Sequence, residues 1–135
     1  HHKLLIILLH TSMQRYRKKN KETLKQKKLI LQPHFNPNLL QRNSTVFQFQ
    51  FTDDENFFLF VTERSFKFNP GNTANPTLTL LLDRHETCWQ LLTGNLDGMT
   101  AFMDGNYRAD GNIVLSQLLL YLFRSDDSKI FKLQA

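Results

Sequence analysis

The chain contains short stretches in which apolar and polar residues alternate, the pattern of strands with one buried face. The clearest covers residues 46–51, where three Phe alternate with two Gln on the opposite face. A polar turn at 53–56 separates it from a second predicted strand, 57–62, so the two should form an antiparallel hairpin. Further strands are predicted at 65–68 and 77–81, the second of them after a turn-rich segment.

Beyond these strands the spacing of apolar residues becomes helical. A helix over 84–92 should start from an Asp83 cap and end at Gly94, and a second, short helix should follow. A fifth strand is predicted at 106–110, and the strongest helical pattern covers 112–123. Strands followed by helices indicate an α+β fold, in which helices cover one face of a mainly antiparallel sheet.

The N-terminal region differs from this body. Residues 13–31 contain neither Gly nor Pro and predict a polar helix with a thin apolar stripe, and Pro33 and Pro37 mark a break after it. We therefore predict two parts. Residues 1–38 form a basic, helical arm, and residues 39–135 form the folded domain.

The charge is concentrated in the arm. Residues 1–31 contain nine Lys or Arg and one acid, whereas residues 32–135 contain eight basic and eleven acidic residues. This asymmetry indicates an anionic partner, either a membrane or a nucleic acid, unless the arm is only a solvated lead-in. Nucleic acid is disfavoured because Tyr16 is the one aromatic residue among these cations that could stack on bases. The residues predicted to contact a membrane surface are Arg15, Arg17, Lys18, Lys19 and Lys21.

An apolar run at residues 4–9 precedes the basic region. It is far shorter than the roughly twenty residues that cross a bilayer as a helix, and no small-residue cleavage site follows it. We therefore predict neither a transmembrane helix nor a secretory signal. The run should instead pack on the domain, on a second copy of the chain in a homodimer, or on a bilayer surface.

Composition narrows the chemistry. Twelve Phe against one Trp and three Tyr favour a thick core or the wall of an apolar pocket. The single cysteine, Cys88, leaves no internal disulfide and no thiol cluster, and the five His show no metal-ligand spacing. We expect no metal and no cofactor.

A catalytic site is the main rival to a binding function. Asp83, His85, Glu86 and Cys88 lie close together, and His85 and Cys88 could share one helix face as a nucleophile pair. No oxyanion donor or Gly-rich elbow accompanies them. We therefore predict that the protein is not an enzyme.

Three segments together resemble sterol carrier protein 2 domains. They are Pro-Thr-Leu-Thr-Leu at 76–80, Leu-Thr-Gly-Asn-Leu at 92–96, and Ala-Phe-Met-Asp-Gly at 101–105, which leads to Gly111 and the apolar final helix. With the Phe-rich hairpin before them, the resemblance covers residues 45–123. It implies a five-stranded sheet with helices on one face and an apolar tunnel between them.

The function that this resemblance implies is non-enzymatic binding or transfer of a lipid, a fatty acyl, sterol or isoprenoid-like molecule held in the tunnel. The alternative is a docking or dimerising module in a lipid-modifying pathway, such as isoprenoid quinone synthesis, or a lipid-presenting domain of a larger enzyme. Each predicted wall residue could equally be ordinary core. The predicted lipid-binding residues are Phe49, Phe51, Phe58, Phe60, Leu78, Leu80, Trp89, Met99, Phe102, Met103, Leu115, Leu118, Leu119 and Leu122.

Two features depart from the resemblance. The basic arm is not matched, so the resemblance assigns no role to it. The chain ends in Lys-Leu-Gln-Ala at 132–135, which is not the peroxisomal signal that eukaryotic members often carry. We therefore expect a cytoplasmic protein, peripheral on a membrane when the arm binds one.

Overall fold

The computed structural model describes residues 2–125 of the 135-residue chain. Within residues 2–17 it describes the side chains of Leu9, Thr11, Gln14 and Arg15 alone. The predicted features of residues 126–135 therefore lie outside the described residues.

Helices and strands follow one another in the predicted order. The first helix begins eleven residues earlier than predicted, and the last ends four residues earlier, where turns follow. The elements are α1 (His2–Leu31), a 3-10 turn (Gln32–His34), β1 (Ser44–Phe51), β2 (Phe57–Thr62), β3 (Phe66–Pro70), β4 (Leu78–Leu82), α2 (His85–Thr93), α3 (Gly98–Met103), β5 (Tyr107–Asp110) and α4 (Ile113–Leu119).

The five strands form one sheet in the order β3-β2-β1-β4-β5. Three neighbouring pairs are antiparallel, which confirms the prediction of a mainly antiparallel sheet. The central pair, β1 and β4, is parallel. The chain reaches this arrangement because the connection from β3 to β4 crosses β2 and β1 before β4 begins.

The strand register gives the sheet two different faces. Phe49 of β1 lies opposite Phe57 of β2 and Leu80 of β4, and residues two positions apart share its face. We call this the covered face. Its residues are largely buried, whereas the opposite face, here the open face, carries exposed side chains such as Gln50 and Lys67.

All four helices supply buried apolar side chains to one core. Leu24 and Leu31 come from α1, Trp89 and Leu92 from α2, and α3 adds Ala101. The last helix, α4, contributes Leu115 and Leu119. The core therefore lies between the covered face and the helices, which makes the fold a two-layer α+β structure. No helix within residues 2–125 combines the length and the apolar character needed to span a bilayer.

The stripe by which α1 docks is narrower than predicted. The sequence offers the adjacent apolar residues Leu29, Ile30 and Leu31 for this stripe. Leu31 is 2% exposed, but Leu29 and Ile30 are 74% and 58% exposed. Each helical residue turns about 100°, so Leu24 and Leu31, seven apart, share a face that Leu29 and Ile30 cannot reach. Leu9, from the apolar run at 4–9, is exposed, and the other side chains of that run lie outside the described residues.

One polar residue of the open face is buried. The Gln48 side chain is 2% exposed because the segment between β3 and β4 passes over it. The amide nitrogen of Gln48, Nε2, donates to the carbonyl of Gly71 at 3.2 Å. The amide oxygen, Oε1, accepts from the N–H of Thr73 at 2.8 Å. Gln48 therefore fastens the crossover to the central strand.

Candidate functional site

A continuous cluster of aromatic rings fills part of the space between the covered face and the helices. Phe57 lies at its centre, stacked on Trp89 with ring centroids 5.1 Å apart and 5.2 Å from the ring of Phe49. Neighbouring centroids within the cluster lie 4.7 to 6.5 Å apart. We call this set the aromatic cluster; its members are Phe35, Phe49, Phe51, Phe57, Phe66, Phe68, Trp89 and Phe123.

The start of α2 is tied to the β1–β2 turn, and this brings Trp89 to the cluster. The carboxylate of Asp54 accepts the N–H of His85 at 2.8 Å. The His85 ring lies 4.7 Å from the Phe51 ring, and its Nε2 is 2.6 Å from the carbonyl oxygen of Glu55. A turn from the hairpin thus fixes the first residue of α2, and Trp89 follows one turn later.

Asp83, the predicted cap of α2, lies one residue before the cap position, which Arg84 occupies. Its carboxylate accepts from the N–H of Arg84 and from the hydroxyl of Thr87. Slight burial works to raise the pKa of Asp83, but the hydrogen bond from Thr87 and those from the backbone outweigh it and lower the pKa. Asp83 therefore supports the first turn of α2 from outside the helix.

Nine of the predicted lipid-binding residues lie between the sheet and the helices. Seven are buried and two are partly buried against the core. These nine are Phe49, Phe51, Leu78, Leu80, Trp89, Leu115, Leu118, Leu119 and Leu122. The layer that they form with the other core residues is apolar and continuous.

Phe58 and Phe60 lie on the open face instead. Phe49 pairs with Phe57, so alternation puts residues 57, 59 and 61 of β2 on the covered face and residues 58 and 60 on the other. Phe60 is 40% exposed. The five-residue turn fixes this register, and the sequence pattern of β2, with aromatic residues at both 57 and 58, does not.

Met99, Phe102 and Met103 of α3 are also outside the layer. All three are exposed, and the residue that α3 buries is Ala101. The ring of Phe102 packs at 5.8 Å from that of Tyr107 at the sheet edge. The small Ala101 allows α3 to approach the body closely, and this turns its larger apolar side chains outward.

The sequence-based selection missed several residues of the layer. Phe47, Leu59 and Leu92 are fully buried, and α1 adds two leucines. Phe47 belongs to the same alternation as Phe49, so that signal was present in the sequence. Leu92 lies three residues after Trp89, and Leu24 and Leu31 belong to the apolar stripe of α1, so helical spacing also indicated these residues. The face of Leu59 was decided by the strand register.

A crevice and two surface grooves lie next to the layer and the hairpin. A narrow crevice of about 10 Å³ lies beneath α1, between Leu24 and the rings of Phe57 and Trp89. It adjoins a surface groove of about 530 Å³ that Lys21 and the β1–β2 turn border. A second groove, of about 460 Å³, lies at the other end of the hairpin and is lined by Pro37, Asn38, Gln41, Arg42, Glu63 and Arg64.

Basic side chains of α1 point both toward the aromatic cluster and toward solvent. Lys27 Nζ lies 5.5 Å from the centroid of the Trp89 ring, and Lys28 Nζ lies 5.7 Å from that of Phe66. Four of the five residues predicted to contact a membrane surface, Arg15, Lys18, Lys19 and Lys21, are exposed. The side chain of the fifth, Arg17, is not among those described.

The polar groups near Cys88 do not form a nucleophile pair. Cys88 is buried, and desolvation raises the pKa of its thiol well above the usual value, which disfavours the thiolate. The His85 ring is directed to the carbonyl of Glu55. Among residues 2–125 no group of three or more His, Cys, Asp or Glu side chains is placed to hold a metal ion.

The sequence matches the family model described as "SCP-2 sterol transfer family" over residues 22–124. The match begins within α1 and extends through the end of α4. No curated protein matches the chain.

Solved structures share this fold at low sequence identity. A UbiJ-SCP2 ubiquinone synthesis protein is 14% identical with a TM-score of 0.62, over 78% of this chain and 95% of that one. Palmitated SCP2L2 from Aedes aegypti is 20% identical with a TM-score of 0.50, over 73% and 88%. The sec-alkylsulfatase Pisa1 from Pseudomonas sp. is 18% identical with a TM-score of 0.54; the match covers 66% of this chain and 14% of the sulfatase.

Proposed function

Because the chain belongs to the SCP-2 sterol transfer family, we propose that it binds a lipid without catalysing a reaction. The observation that carries this proposal is the apolar layer between the covered face and the helices, with the aromatic cluster at one side of it. Among the side chains that the structure describes, the buried polar ones are Thr45, Gln48, Thr87 and Ser116. A lipid chain inserted into this layer would meet apolar side chains along its length.

The ligand class that we propose is a fatty acyl, sterol or isoprenoid-like molecule held in a tunnel between the two layers. Each methylene removed from water contributes about 0.8 kcal/mol, so a chain of many methylenes binds with few polar contacts. The palmitated Aedes protein of the same fold supports the acyl class. Shape and volume of the tunnel would then set the selectivity.

The crevice beneath α1, about 10 Å³, is too small for an acyl chain, so a tunnel on this side would require α1 to move. Of the described α1 side chains, Leu24 and Leu31 are the buried ones, so they supply the main apolar contacts of residues 18–31. Over residues 18–31 the layer could therefore open on the α1 side by exposing two leucine side chains.

The basic arm would bring the carrier to its lipid source. Arg15, Lys18, Lys19 and Lys21 are exposed, and each basic residue near an anionic membrane surface contributes about 1 kcal/mol. We propose that this part of α1 contacts anionic headgroups. Lipid could then pass between the bilayer and the domain without release into water.

The second candidate function is a docking or dimerising module of a lipid-modifying pathway, or a lipid-presenting domain of a larger enzyme. Two comparisons favour it. One neighbour is described as a ubiquinone synthesis protein, and in the sulfatase the matching region is a small part of a much longer chain. Here the apolar layer would serve as core, and α1 would carry the partner surface.

Mass spectrometry of the full chain purified without detergent tests the proposal. Native mass should show a lipid bound in stoichiometric amount, and extraction should identify it as acyl, sterol or isoprenoid. A lipid-free protein that also fails to take up a fluorescent fatty acid would contradict lipid binding and favour the docking module.

A matched pair of variants tests whether the ligand binds between the sheet and the helices. Leu118→Trp fills space at the layer, where Leu118 is partly buried, and should lower fatty acid uptake severalfold. Leu81→Trp adds the same bulk on the open face, where Leu81 is exposed, and should leave uptake unchanged. Equal losses in both variants would argue against a site between sheet and helices.

A further inference from the structure

The edge strand β5 carries two exposed side chains of opposite charge. It is the last strand in the order β3-β2-β1-β4-β5, so β4 is its one neighbour in the sheet. Arg108 and Asp110 lie two residues apart on the open face, where they are exposed. Among the described residues, neither side chain has a hydrogen-bond or ion-pair partner. Both charges are therefore available to a second molecule.

Every second residue of β5 directs its backbone groups away from the sheet. In β4, the carbonyl of Leu82 points to the β1 side, where it accepts the N–H of Thr52 at 3.1 Å. Successive residues of a strand point to opposite sides, so Leu81 points to β5, where it pairs with Arg108. The next residue of β5, Ala109, therefore directs its N–H and C=O outward. Such groups can form hydrogen bonds with another strand.

A second copy of β5, running antiparallel, fits this edge in one register. With the two Ala109 residues opposite each other, Arg108 of each chain lies opposite the partner's Asp110. These pairs fall at the positions without hydrogen bonds, where facing Cα atoms are about 4.5 Å apart and side chains are closest. The adjacent registers that keep the outward groups together are centred on Arg108 or on Asp110, and each places like charges opposite one another.

The two edges of the sheet differ in how they meet other chains. Charged side chains, Pro and covering helices commonly protect edge strands from pairing. The edge strand β3 has such protection, with Lys67 on its open face, Pro70 at its end and α1 packed beside it. On β5 the charges have opposite signs at positions that face each other in an antiparallel pair. They therefore attract a second copy in that register.

Exposed apolar side chains lie near both ends of β5. The ring of Phe102, 53% exposed, packs 5.8 Å from the ring of Tyr107 at the start of the strand. Ile113, 66% exposed, follows the end of the strand by three residues. In the register centred on Ala109, the start of each strand lies beside the end of the other. Phe102 of one chain thus approaches the partner's Ile113, and the pairing covers apolar surface.

We propose that the outer edge of β5 is the interface of a homodimer, in which two copies of β5 pair antiparallel about Ala109. The two five-stranded sheets then form one sheet of ten strands. Because a four-residue edge buries little surface, the dimer forms reversibly. The interface does not involve α1, so it is independent of the proposed lipid binding and of the basic arm.

Charge reversal tests the interface, with sedimentation equilibrium of the full chain over a range of concentrations as the measurement. The unaltered protein should show a monomer–dimer equilibrium. Arg108→Asp makes both facing pairs acidic, and Asp110→Arg makes both basic, so each substitution should raise the dissociation constant by about tenfold. Lys67→Asp is the control: it reverses an exposed charge on the other edge strand and should leave the dissociation constant unchanged.

Complementation distinguishes a broken charge pair from a damaged fold. An equal mixture of the Arg108→Asp and Asp110→Arg variants restores both pairs and should form heterodimers. The double variant, in which the two charges are exchanged, should dimerise like the unaltered protein. An unaltered protein that stays monomeric, or a dimer that both single substitutions leave intact, overturns the proposal. Failure of both the mixture and the double variant to dimerise overturns it as well.

Discussion

At the residue scale, Gln48 illustrates how one side chain can stabilise a chain crossing. It lies on the same strand and the same face as Gln50, and the two look equivalent in the sequence. Gln48 is nonetheless buried under the crossover, where its amide bonds the backbone at Gly71 and Thr73, whereas Gln50 is exposed. The difference arises from a segment more than twenty residues away.

Replacing Gln48 by Leu should lower the free energy of unfolding by about 1–3 kcal/mol, because the Thr73 N–H and the Gly71 carbonyl lose their partner. Urea unfolding followed by circular dichroism measures the change. Gln50→Leu is the matched control and should fall within about 0.5 kcal/mol of the unaltered protein. Equal losses of stability in the two variants would contradict the conclusion that Gln48 holds the crossover against β1.

Cys88 shows how burial changes the reactivity of a side chain. Its position three residues after His85 would allow a nucleophile pair on one helix face. In the structure the thiol is buried and its pKa is raised by desolvation, while the His85 ring bonds the carbonyl of Glu55. The neighbourhood of Cys88 is that of a small apolar core residue.

We expect the thiol of Cys88 to react with a disulfide reagent at pH 8 on the order of a hundredfold more slowly in the folded protein than in guanidinium chloride. The reason is that the raised pKa and the burial both remove the reactive thiolate. As Cys88 is the single cysteine, the absorbance of the released thiolate reports on it alone. Rapid reaction of the folded protein would reopen the enzymatic hypothesis.

At the element scale, α1 is a long helix whose described side chains form a small docking surface. The helix runs over thirty residues, yet its described buried residues are Leu24 and Leu31. Lys27 and Lys28 extend the contact by placing their ammonium groups over the rings of Trp89 and Phe66. Over residues 18–31 the contact of α1 with the body therefore depends mainly on two leucines and two lysines.

Leu31→Ala should destabilise the protein by about 2–5 kcal/mol, because it removes a buried side chain and leaves a cavity. Leu29→Ala, two residues earlier on the exposed side of the same helix, should change stability by no more than about 0.5 kcal/mol. Thermal or urea unfolding distinguishes the two. Similar effects of both substitutions would mean that α1 docks through a different face.

At the scale of the whole molecule, the uneven charge places cations on α1 and acids on the body. The N-terminal 31 residues hold nine Lys or Arg, and the rest of the chain has three more acidic than basic residues. An anionic bilayer would therefore attract α1 and repel the remainder, which would orient the protein on the surface. This orientation is what a carrier that exchanges lipid through the α1 side would need.

The full chain should sediment with vesicles that contain phosphatidylserine more than with vesicles of phosphatidylcholine alone, and added salt should weaken the binding. Exchanging Lys18, Lys19 and Lys21 for Glu should abolish the preference. Lys67→Glu, which alters an exposed lysine of the open face, is the control and should not. Equal binding to neutral and anionic vesicles would exclude the electrostatic contact.

Much of the fold could be predicted from sequence because it depends on local patterns. Alternation in β1 and the helical spacing of α4 arise from the geometry of each element, so the order of elements and the mainly antiparallel sheet were correct. The motifs at 76–80, 92–96 and 101–105 indicated the family, which the match over residues 22–124 confirms. These features require no knowledge of distant contacts.

The tertiary structure decided which side of each element is used. Phe58 and Phe60 face away from the helices because the register of β1 with β2 puts Phe57 opposite Phe49. Met99 and Phe102 are exposed because α3 packs through Ala101, and Gln48 is buried because a crossover lies on it. Register, helix orientation and crossing segments depend on contacts between residues far apart in the chain, and local periodicity carries no information about them.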